Sequence, residues 1–428
     1  MQNNQEQFDV VVIGGGPAGI LAAIRAAKQG ANVALLEKNK TLGKKLLLTG
    51  KGRCNLTQVR YSNRDFIAKL GKNGRFVFSC LNVFGPAETM AFFEKMGLKT
   101  KIERGGRVFP IADRSSKVLG ILAAHLLKNK VNLKCNEPVL GFETKKGKIE
   151  NVILKNKKIG AKNFILCTGG KSYPETGSTG DGFSWAKSLG HKITRPAPAL
   201  TPIITEEAWV GDAQGLSLKN VALNIFLNNK KKDSRFGEML FTDNGLSGPI
   251  VIDASKRIGE LLKQGEVSLE IDLKPALDFQ KLDNRLKRDF AANPRRDFKN
   301  YLPDLLPKKL INTMIQLVGI SPETKLNAIT RQQRRKLLHR LKGLKLTAKS
   351  LAGFEKAVVT SGGVALKEID PKTMRSRIIE NLFFAGEIID LDGPTGGYNL
   401  QICWSTAWAA GTWAAAGCDR KRFFLDFP

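Results

Sequence analysis

The stretch VVVIGGGPAG at residues 10–19 decides the fold of the first part of this 428-residue chain. Its first four residues are a short, β-branched apolar run, which predicts a buried parallel strand. Gly14 permits a tight turn, Gly16 lets the backbone approach a pyrophosphate, and Gly19 lets the next helix pack closely on the strand. That helix is predicted over residues 17–29, with its free N–H groups and positive dipole end facing the pyrophosphate.

A second predicted strand, residues 33–36, ends in Glu37. This acid follows the glycines by about 20 residues, the spacing at which a carboxylate accepts hydrogen bonds from a ribose 2′-OH. It favours an unphosphorylated ribose and therefore disfavours NADP in this site. A lone Gly-x-Gly-x-x-Gly pattern is a weak signal, but strand, glycines, helix, strand and terminal acid together predict a Rossmann-like dinucleotide site. NAD and FAD both remain open at this point.

Three later segments favour FAD. Residues 163–170 predict a strand that ends in Thr-Gly-Gly, similar to the element at which flavoproteins return to the nucleotide domain. Residues 382–390 resemble the late strand whose acid, here Glu387, holds the ribityl chain. The Gly-rich loop 393–401 and a small-residue helix over residues 400–416 follow, and the N-terminus of that helix would face the flavin pyrimidine ring. Each segment alone could be an ordinary turn, but their order along the chain favours a split FAD site.

Several further motifs resemble those of the HI0933-like flavoproteins, a bacterial family also described as BaiN-type or aminoacetone-oxidase-type FAD-dependent oxidoreductases. The similarity covers essentially the whole chain. One departure is Asp243, where family members often have His after a Phe-Thr pair. The motifs are GKGRCNLT (50–57), GEMLFT (237–242), GLSGP (245–249), TSGGV (360–364) and GGYNLQ (396–401).

The resemblance implies an α/β fold in which a glutathione-reductase-like, Rossmann-like FAD-binding domain carries an inserted β-barrel and a small helical domain. The sequence agrees, because short alternating strands occur before residue 276 and leucines at helical spacing follow it. The expected boundaries are residues 1–195 and 356–428 for the FAD domain, 196–276 and 343–355 for the barrel, and 277–342 for the helical insert.

The motifs and the resemblance together give a set of candidate cofactor-binding residues. Asn55, Tyr398, Asn399 and Gln401 are expected to hydrogen-bond flavin or substrate, and Arg53 to bind the FAD diphosphate or a substrate phosphate. The full set is Gly14, Gly16, Pro17, Ala18, Gly19, Glu37, Lys38, Arg53, Asn55, Val139, Thr168, Gly169, Gly386, Glu387, Gly397, Tyr398, Asn399, Leu400 and Gln401.

Cys54 is the candidate catalytic residue, as a proton donor to the substrate. It lies in a Gly-rich loop near Lys44, Lys45 and Lys51, and cationic neighbours lower the pKa of a thiol. The alternative is a small buried residue that packs under the flavin ring. The six cysteines show no CxxC pairing and the chain has only three histidines, so we expect free thiols and no metal site.

The formal charge of +30 suggests a polyanionic partner, although a solubilising surface is the alternative,. Residues 38–64 contain eight basic residues and no acidic one, and so do residues 331–349. No apolar run approaches the roughly 20 residues of a membrane span, and no signal peptide is visible, so we expect a cytoplasmic protein without a membrane partner. The sequence does not predict the oligomeric state.

Two functional hypotheses follow for an FAD-dependent oxidoreductase. Family members have been linked to reduction of a uridine C5=C6 bond in large-subunit ribosomal RNA, which gives dihydrouridine. Hydride would pass from the flavin to C6 of an unstacked base, and Cys54 would protonate C5. The alternative is a small-molecule enzyme, such as an enone or steroid-like reductase or an amine oxidase, using NAD(P)H or oxygen. A flavin-bearing binding protein without turnover also remains open. No second Gly-x-Gly-x-x-Gly follows residue 150, so NAD(P)H is expected as a transient reductant.

Overall fold

The computed structural model describes residues 6–59 and 62–417. In chain order its strands are β1 (Glu6–Ile13), β2 (Val33–Glu37), β3 (Thr57–Gln58), β4 (Thr100–Glu103), β5 (Arg107–Pro110), β6 (Asn132–Cys135), β7 (Gly141–Lys145), β8 (Lys148–Ile153), β9 (Lys158–Leu166), β10 (Ile193–Ala199), β11 (Ile203–Thr205), β12 (Ser217–Leu227), β13 (Lys230–Phe241), β14 (Gly245–Ser247), β15 (Val267–Asp272), β16 (Leu344–Leu351), β17 (Val359–Val364) and β18 (Leu382–Phe384).

The α-helices are α1 (Pro17–Lys28), α2 (Lys44–Leu48), α3 (Asn63–Lys69), α4 (Phe78–Val83), α5 (Pro86–Lys95), α6 (Ser115–Lys128), α7 (Asp181–Ser188), α8 (Pro249–Leu261), α9 (Phe279–Ala292), α10 (Phe298–Tyr301), α11 (Ile311–Val318), α12 (Arg331–Lys342) and α13 (Tyr398–Ala416). The chain divides into two compact units, residues 1–198 with 357–428, and residues 199–356.

The first unit is built on a sheet of five parallel strands in the order β6-β2-β1-β9-β18, which β8 and β7 extend in antiparallel fashion. The long strand β9 serves both extensions, because its first residues pair with β8 and its last three pair with β18. The apolar run at residues 10–13 lies in the middle of this sheet and is almost fully buried. The predicted buried parallel strand is therefore confirmed.

Helix α13 packs against α1 in the same unit, and small side chains allow the close approach. A Cβ atom on Gly411 would lie only 2.5 Å from the carbonyl oxygen of Ala22. Thirteen of the 19 residues of α13 are buried, so the helix lacks the polar face of a surface helix. The C-terminal end of the described chain is thus part of the core around the glycine turn.

The second unit contains a closed six-stranded antiparallel barrel in the order β11-β14-β13-β12-β15-β16. Helix α8 contributes Val251, Ala254 and Ile258 to the barrel core. Helices α9 to α12 are inserted between β15 and β16 and form a hydrophobic cluster of their own. The predicted fold class, a Rossmann-like α/β domain with a β-barrel and a helical region, is confirmed. The domain boundaries expected from the sequence stay predictions.

Among the helices of the described residues, no single one is both long and apolar enough to cross a membrane. One bent pair, residues 71–83 with 86–95, satisfies the length and composition criteria when the two are taken together.

Candidate functional site

The glycine turn between β1 and α1 has the geometry that the sequence predicts. A Cβ atom on Gly14, whose φ is +105°, would lie 2.6 Å from the carbonyl oxygen of Cys167, and one on Gly19 would lie 1.8 Å from the oxygen of Gly14. A Cβ on Gly16 would meet no atom within 4 Å. Gly14 and Gly19 are thus required by the packing of the protein itself, whereas Gly16 faces open space at the start of α1. This is where a helix N-terminus can receive a phosphate.

The acid at the end of β2 holds this turn in place. Oε2 of Glu37 accepts the N–H of Gly15 at 2.7 Å, and Oε1 accepts the backbone and side-chain N–H groups of Asn39 at 2.8 and 2.7 Å. A carboxylate offers about four acceptor positions, so Glu37 keeps capacity for one further donor such as a ribose hydroxyl. Sequence reasoning missed Asn39, which fixes the orientation of that carboxylate.

The middle segment of the chain reaches the same turn through the end of β9. The N–H of Cys167 donates to Ile13, and the Cα of Thr168 would lie 3.1 Å from a Cβ on Gly14. The hydroxyl oxygen of Thr168 is buried and has no hydrogen-bond partner among the described residues. The end of β9 therefore contacts the glycine turn, as the sequence predicts, and the binding of a nucleotide by Thr168 and Gly169 stays a prediction.

Glu387, which follows β18, lies in a polar cluster that joins distant parts of the first unit. Its Oε2 forms an ion pair with Lys45 at 2.7 Å, and Oε1 accepts the hydroxyl of Ser172 at 3.0 Å and the N–H of Thr360 at 2.7 Å. The Lys45 and Glu387 side chains are only 20% and 16% exposed. The preceding Gly386 lies against α1, since a Cβ there would be 2.8 Å from that of Ala18. Sequence reasoning gave Lys45 no such role, although Thr360 belongs to one of the family motifs.

The start of α13 meets the loop that follows α2. Gly397 has φ +105°, and a Cβ there would lie 2.4 Å from the carbonyl oxygen of Thr57 and 3.0 Å from Oδ1 of Asn55. That Oδ1 atom is buried and has no partner among the described residues. Asn55 is therefore placed, with an unused acceptor, where the late helix begins. Leu400 lies in the first turn of the same helix and is 9% exposed.

Other polar residues predicted to bind flavin or substrate have structural partners. Gln401 is fully buried and bonds Thr57, Phe84 and Ser405. The side chain of Asn399 donates to and accepts from the backbone of Gly393. These amides fix the loop before α13 and its first turns. Tyr398 packs its ring at 4.7 Å from that of Phe66.

Three more candidate cofactor residues have surroundings that the sequence did not reveal. The guanidinium of Arg53 pairs with Glu103 at 2.8 Å and with Asp113 at 3.3 Å, and Lys38 pairs with Asp181 at 2.7 Å. Each cation would have to share or leave its carboxylate to bind a phosphate. Val139 is buried in the segment after β6, where the N–H of the nearby residue 137 donates to the backbone of residue 37.

The expectation that basic neighbours lower the pKa of Cys54 is wrong. The thiol is completely buried, and burial raises its pKa to about 12, against a smaller opposing effect of a hydrogen bond with Thr49. Two of the nearby cations are engaged elsewhere, Lys45 with a carboxylate and Lys44 with the amide oxygen of Asn39. Burial of this kind favours the alternative reading of Cys54 as a packing residue. A catalytic role for it stays a prediction.

The first basic stretch is free of acids only along the sequence. Lys38, Lys45 and Arg53 all form ion pairs with acids from distant segments. Lys51 and Arg64 are exposed and have no carboxylate within ion-pair distance in the described part of the chain, and the same is true of Lys40. Arg60 lies outside the described residues. Three of the seven described cations of this stretch are thus neutralised in space by distant acids.

Residues from the beginning, middle and end of the chain form a cradle that fits FAD. Gly16 and the start of α1 would hold the diphosphate and Glu37 the adenosine ribose. Asn55 and Thr168 carry two of the buried side-chain oxygens without partners within residues 6–59 and 62–417, and buried polar atoms of this kind need a partner. In the same residues, no group of three or more His, Cys, Asp or Glu side chains is arranged to hold a metal ion.

A Rossmann glycine turn, an acid at the end of the second strand and a late strand and helix that return to the turn define an FAD-dependent oxidoreductase. A family model described as the HI0933-like protein Rossmann domain matches residues 8–413. The chain belongs to the HI0933-like family.

Relatives of full length carry two different names. The chain is 32% identical over 409 residues to the "3-dehydro-bile acid delta(4,6)-reductase" of Clostridium scindens, covering 94% of this chain and 98% of the relative. It is 29% identical to the "Ribosomal RNA dihydrouridine synthase" of Escherichia coli, covering 94% of this chain and 97% of the relative. The protein of the same name from Haemophilus influenzae is also 29% identical, over 93% and 96% of the two chains.

Solved structures support the fold. A flavocytochrome c3 fumarate reductase in an open conformation aligns with a TM-score of 0.53 at 17% identity, over 97% of this chain and 79% of that chain. The 3-ketosteroid-delta4-(5alpha)-dehydrogenase of Rhodococcus jostii RHA1 gives 0.53 at 17% identity, over 97% and 98% of the two chains. At such low identity these likenesses concern the fold alone.

Proposed function

We propose that this FAD-dependent oxidoreductase reduces the C5=C6 bond of a uridine in ribosomal RNA to give dihydrouridine. Full-length relatives named for that reaction support the proposal. The observation that favours it over the reaction named for the bile acid relative is the net charge of +30. Clustered cations bind a phosphate backbone by releasing its counterions, whereas a small substrate with a single acidic group gains little from so many. A cytoplasmic location, where ribosomal RNA is found, belongs to the same proposal.

The chemistry of this reaction is that of a conjugated carbonyl compound. The C5=C6 bond of uracil is conjugated with the C4 carbonyl, so a hydride adds at C6 and a proton at C5. FAD, when bound and reduced, would supply the hydride and be oxidised, and we propose NAD(P)H as the transient donor that reduces it again. Gly16 and Glu37 would hold the cofactor, while the target base must leave its stack to reach it. The donor of the C5 proton is the open point of the scheme.

Cys54 is the proton donor proposed from the sequence. With a pKa of about 12 the thiol keeps its proton at neutral pH, but so weak an acid releases it reluctantly. Replacement by Ala is therefore a direct test. Single-turnover reduction by Cys54→Ala at the wild-type rate would remove Cys54 from the scheme, and a rate at least about 100-fold lower would support general-acid catalysis.

A second candidate function is reduction of a small conjugated ketone. It is favoured by the 32% identity to the bile acid reductase over nearly the whole of both chains. The two candidates share hydride addition to a carbon–carbon double bond conjugated with a carbonyl group. They differ in the molecule that must bind around the reacting atoms, which is a polyanion in one case and a small, largely apolar molecule in the other.

Mass-spectrometric mapping of ribosomal RNA from a strain lacking the gene distinguishes them. We expect one dihydrouridine to disappear and to return when the wild-type gene is restored. Gly16→Val is the matched control for complementation, because its side chain enters open space in the protein and blocks only the diphosphate position. An unchanged dihydrouridine map, together with rapid NAD(P)H-dependent reduction of a small enone by the purified protein, would replace the first candidate by the second.

A further inference from the structure

The second basic stretch keeps a larger share of its cations without an acid than the first. Of its eight basic residues, Arg334 pairs with Asp283 at 2.8 Å and Lys342 pairs with Asp272 at 2.6 Å. The other six have no carboxylate within ion-pair distance among the described residues. They are Arg331, Arg335, Lys336, Arg340, Lys345 and Lys349.

Helix α12 presents four of these cations on one side. Leu337, Leu338 and Leu341 are buried in the core of the inserted helices, and the helical periodicity then turns the opposite side to solvent. We define the cationic face of α12 as Arg331, Arg335, Lys336 and Arg340. The first three are exposed and Arg340 is partly exposed. The four span about two and a half helical turns, or about 14 Å.

The neighbouring helix α9 shows that such a face is not a general property of the insert. Its cations are matched by acids on the same helix or at its cap, as in the pairs Lys287–Asp283 and Arg285–Asp289, with N–O distances of 2.9 and 3.4 Å. The first turn of α12 contains no acid and begins with Arg331. A cation there opposes the helix dipole, and like charges three or four residues apart repel one another. The cationic face is therefore present although the helix dipole and the repulsion between its own charges both destabilise it.

An exposed aromatic pair adjoins the cationic face. Phe279, at the start of α9, is 48% exposed, and its ring centroid lies 5.3 Å from that of His339. His339 is itself exposed and lies between Arg335 and Lys336 around α12. Exposed rings beside cations are the combination with which proteins hold unpaired nucleotides, since bases stack on the rings while the cations contact the phosphates.

We propose that the cationic face of α12, together with Phe279 and His339, docks an unpaired segment of RNA. This inference rests on the proposed function and names the surface that holds its substrate. An anionic membrane fits less well, because an interfacial helix inserts large apolar side chains and the leucines of α12 are buried in the protein. Duplex RNA fits less well too, because it offers no unstacked base to the rings.

The test compares two variants that each lose four positive charges. In the first, Arg331, Arg335, Lys336 and Arg340 are all changed to Gln, which preserves helix propensity. In the matched control, four exposed lysines without ion pairs in the described residues are changed to Gln, namely Lys72, Lys99, Lys155 and Lys187. Binding of a short single-stranded RNA, a duplex of equal length and phosphatidylglycerol vesicles is measured against salt concentration with the FAD-loaded proteins.

We expect the α12 variant to bind single-stranded RNA at least about tenfold more weakly at low salt. Its log–log salt dependence should be shallower by about three, since each single-strand phosphate contact contributes about 0.7. The control should bind like the wild type. Phe279→Leu, which keeps the apolar volume but removes the ring, should lower affinity about fivefold or more without changing the salt slope.

Equal binding by the α12 variant and the control would overturn the inference. So would a loss by the α12 variant that is confined to duplex RNA or to the vesicles. The proposed function is tested by a separate measurement, the amount of dihydrouridine that the wild-type protein forms in ribosomal RNA. If the wild type forms it and the α12 variant does so with unchanged KM, the docking surface fails while the function stands. If the wild type forms none, the function fails whatever α12 binds.

Discussion

The two basic stretches look alike in sequence and differ in the folded chain. Each contains eight basic residues and no acidic one. In residues 38–64 the fold brings acids from positions 103, 113, 181 and 387 onto three of the cations. In residues 331–349 only two cations are paired and α12 keeps a charged outer side. A run of basic residues therefore predicts a positive surface only through those cations that distant acids leave unpaired.

The largest effect that tests this contrast is expected for Glu387→Gln. The change leaves the largely buried ammonium of Lys45 without its carboxylate, and losing one partner of such a pair costs about 2–3 kcal/mol of unfolding free energy at this partial exposure,. Urea unfolding of the FAD-free protein measures it. The control Lys51→Gln alters an exposed cation of the same stretch and should stay within about 0.5 kcal/mol of wild type. If both substitutions lowered the unfolding free energy equally, the distinction between paired and unpaired cations would be wrong.

A smaller effect is expected within the second stretch. Arg334→Gln breaks the pair with Asp283, in which both side chains are 16% exposed, and should cost about 1–2 kcal/mol because Lys287 still accompanies the carboxylate. Arg335→Gln, one residue further on the outer side, should change stability by less than about 0.5 kcal/mol. If the Arg335 variant were the less stable of the two, the assignment of Arg334 to structure and Arg335 to the surface would be wrong.

The same pair predicts a pH dependence. The hydrogen bond from Arg334, followed by that from Lys287, holds the pKa of Asp283 below its ordinary value near 3.8. A carboxyl whose pKa is lower in the folded state contributes stability that is complete above pH 3.8 and is lost as the pH falls toward the folded value,. The stability difference between wild type and Arg334→Gln should therefore shrink below about pH 4. A difference that grows on acidification would contradict this.

The smallest expected signal concerns Cys54. With a pKa of about 12, roughly one thiol in a thousand is ionised at pH 9,, and the buried sulfur is out of reach of reagents. In the native protein it should react with a thiol reagent no faster than the protein unfolds, as mass spectrometry of the labelled peptide would show. Rapid labelling at pH 8 would mean that the loop opens, and would restore Cys54 as an accessible acid.

Much of the cofactor region could be predicted from local pattern. The predicted helix over residues 17–29 is observed as Pro17–Lys28, and the predicted helix over 400–416 as Tyr398–Ala416. Glycine spacing defines a turn whose geometry hardly depends on the rest of the chain. What was missed is pairing across long sequence separation, such as Lys45 with Glu387. The wrong expectation for Cys54 has the same origin, because burial is a property of the packed core and outweighed the basic residues near it in sequence.

By itself the sequence determined the class of fold, the FAD cofactor and the family, because short motifs of glycine, apolar and acidic residues restrict the backbone locally. Only the tertiary structure decided which charges remain available. Ion pairs such as Arg53–Glu103 and Arg334–Asp283 join residues 50 and 51 positions apart. Electrostatic interaction depends on distance in space and on burial, so the same basic pattern became a stretch with three cations paired to distant acids in one unit and an exposed cationic face on α12 in the other.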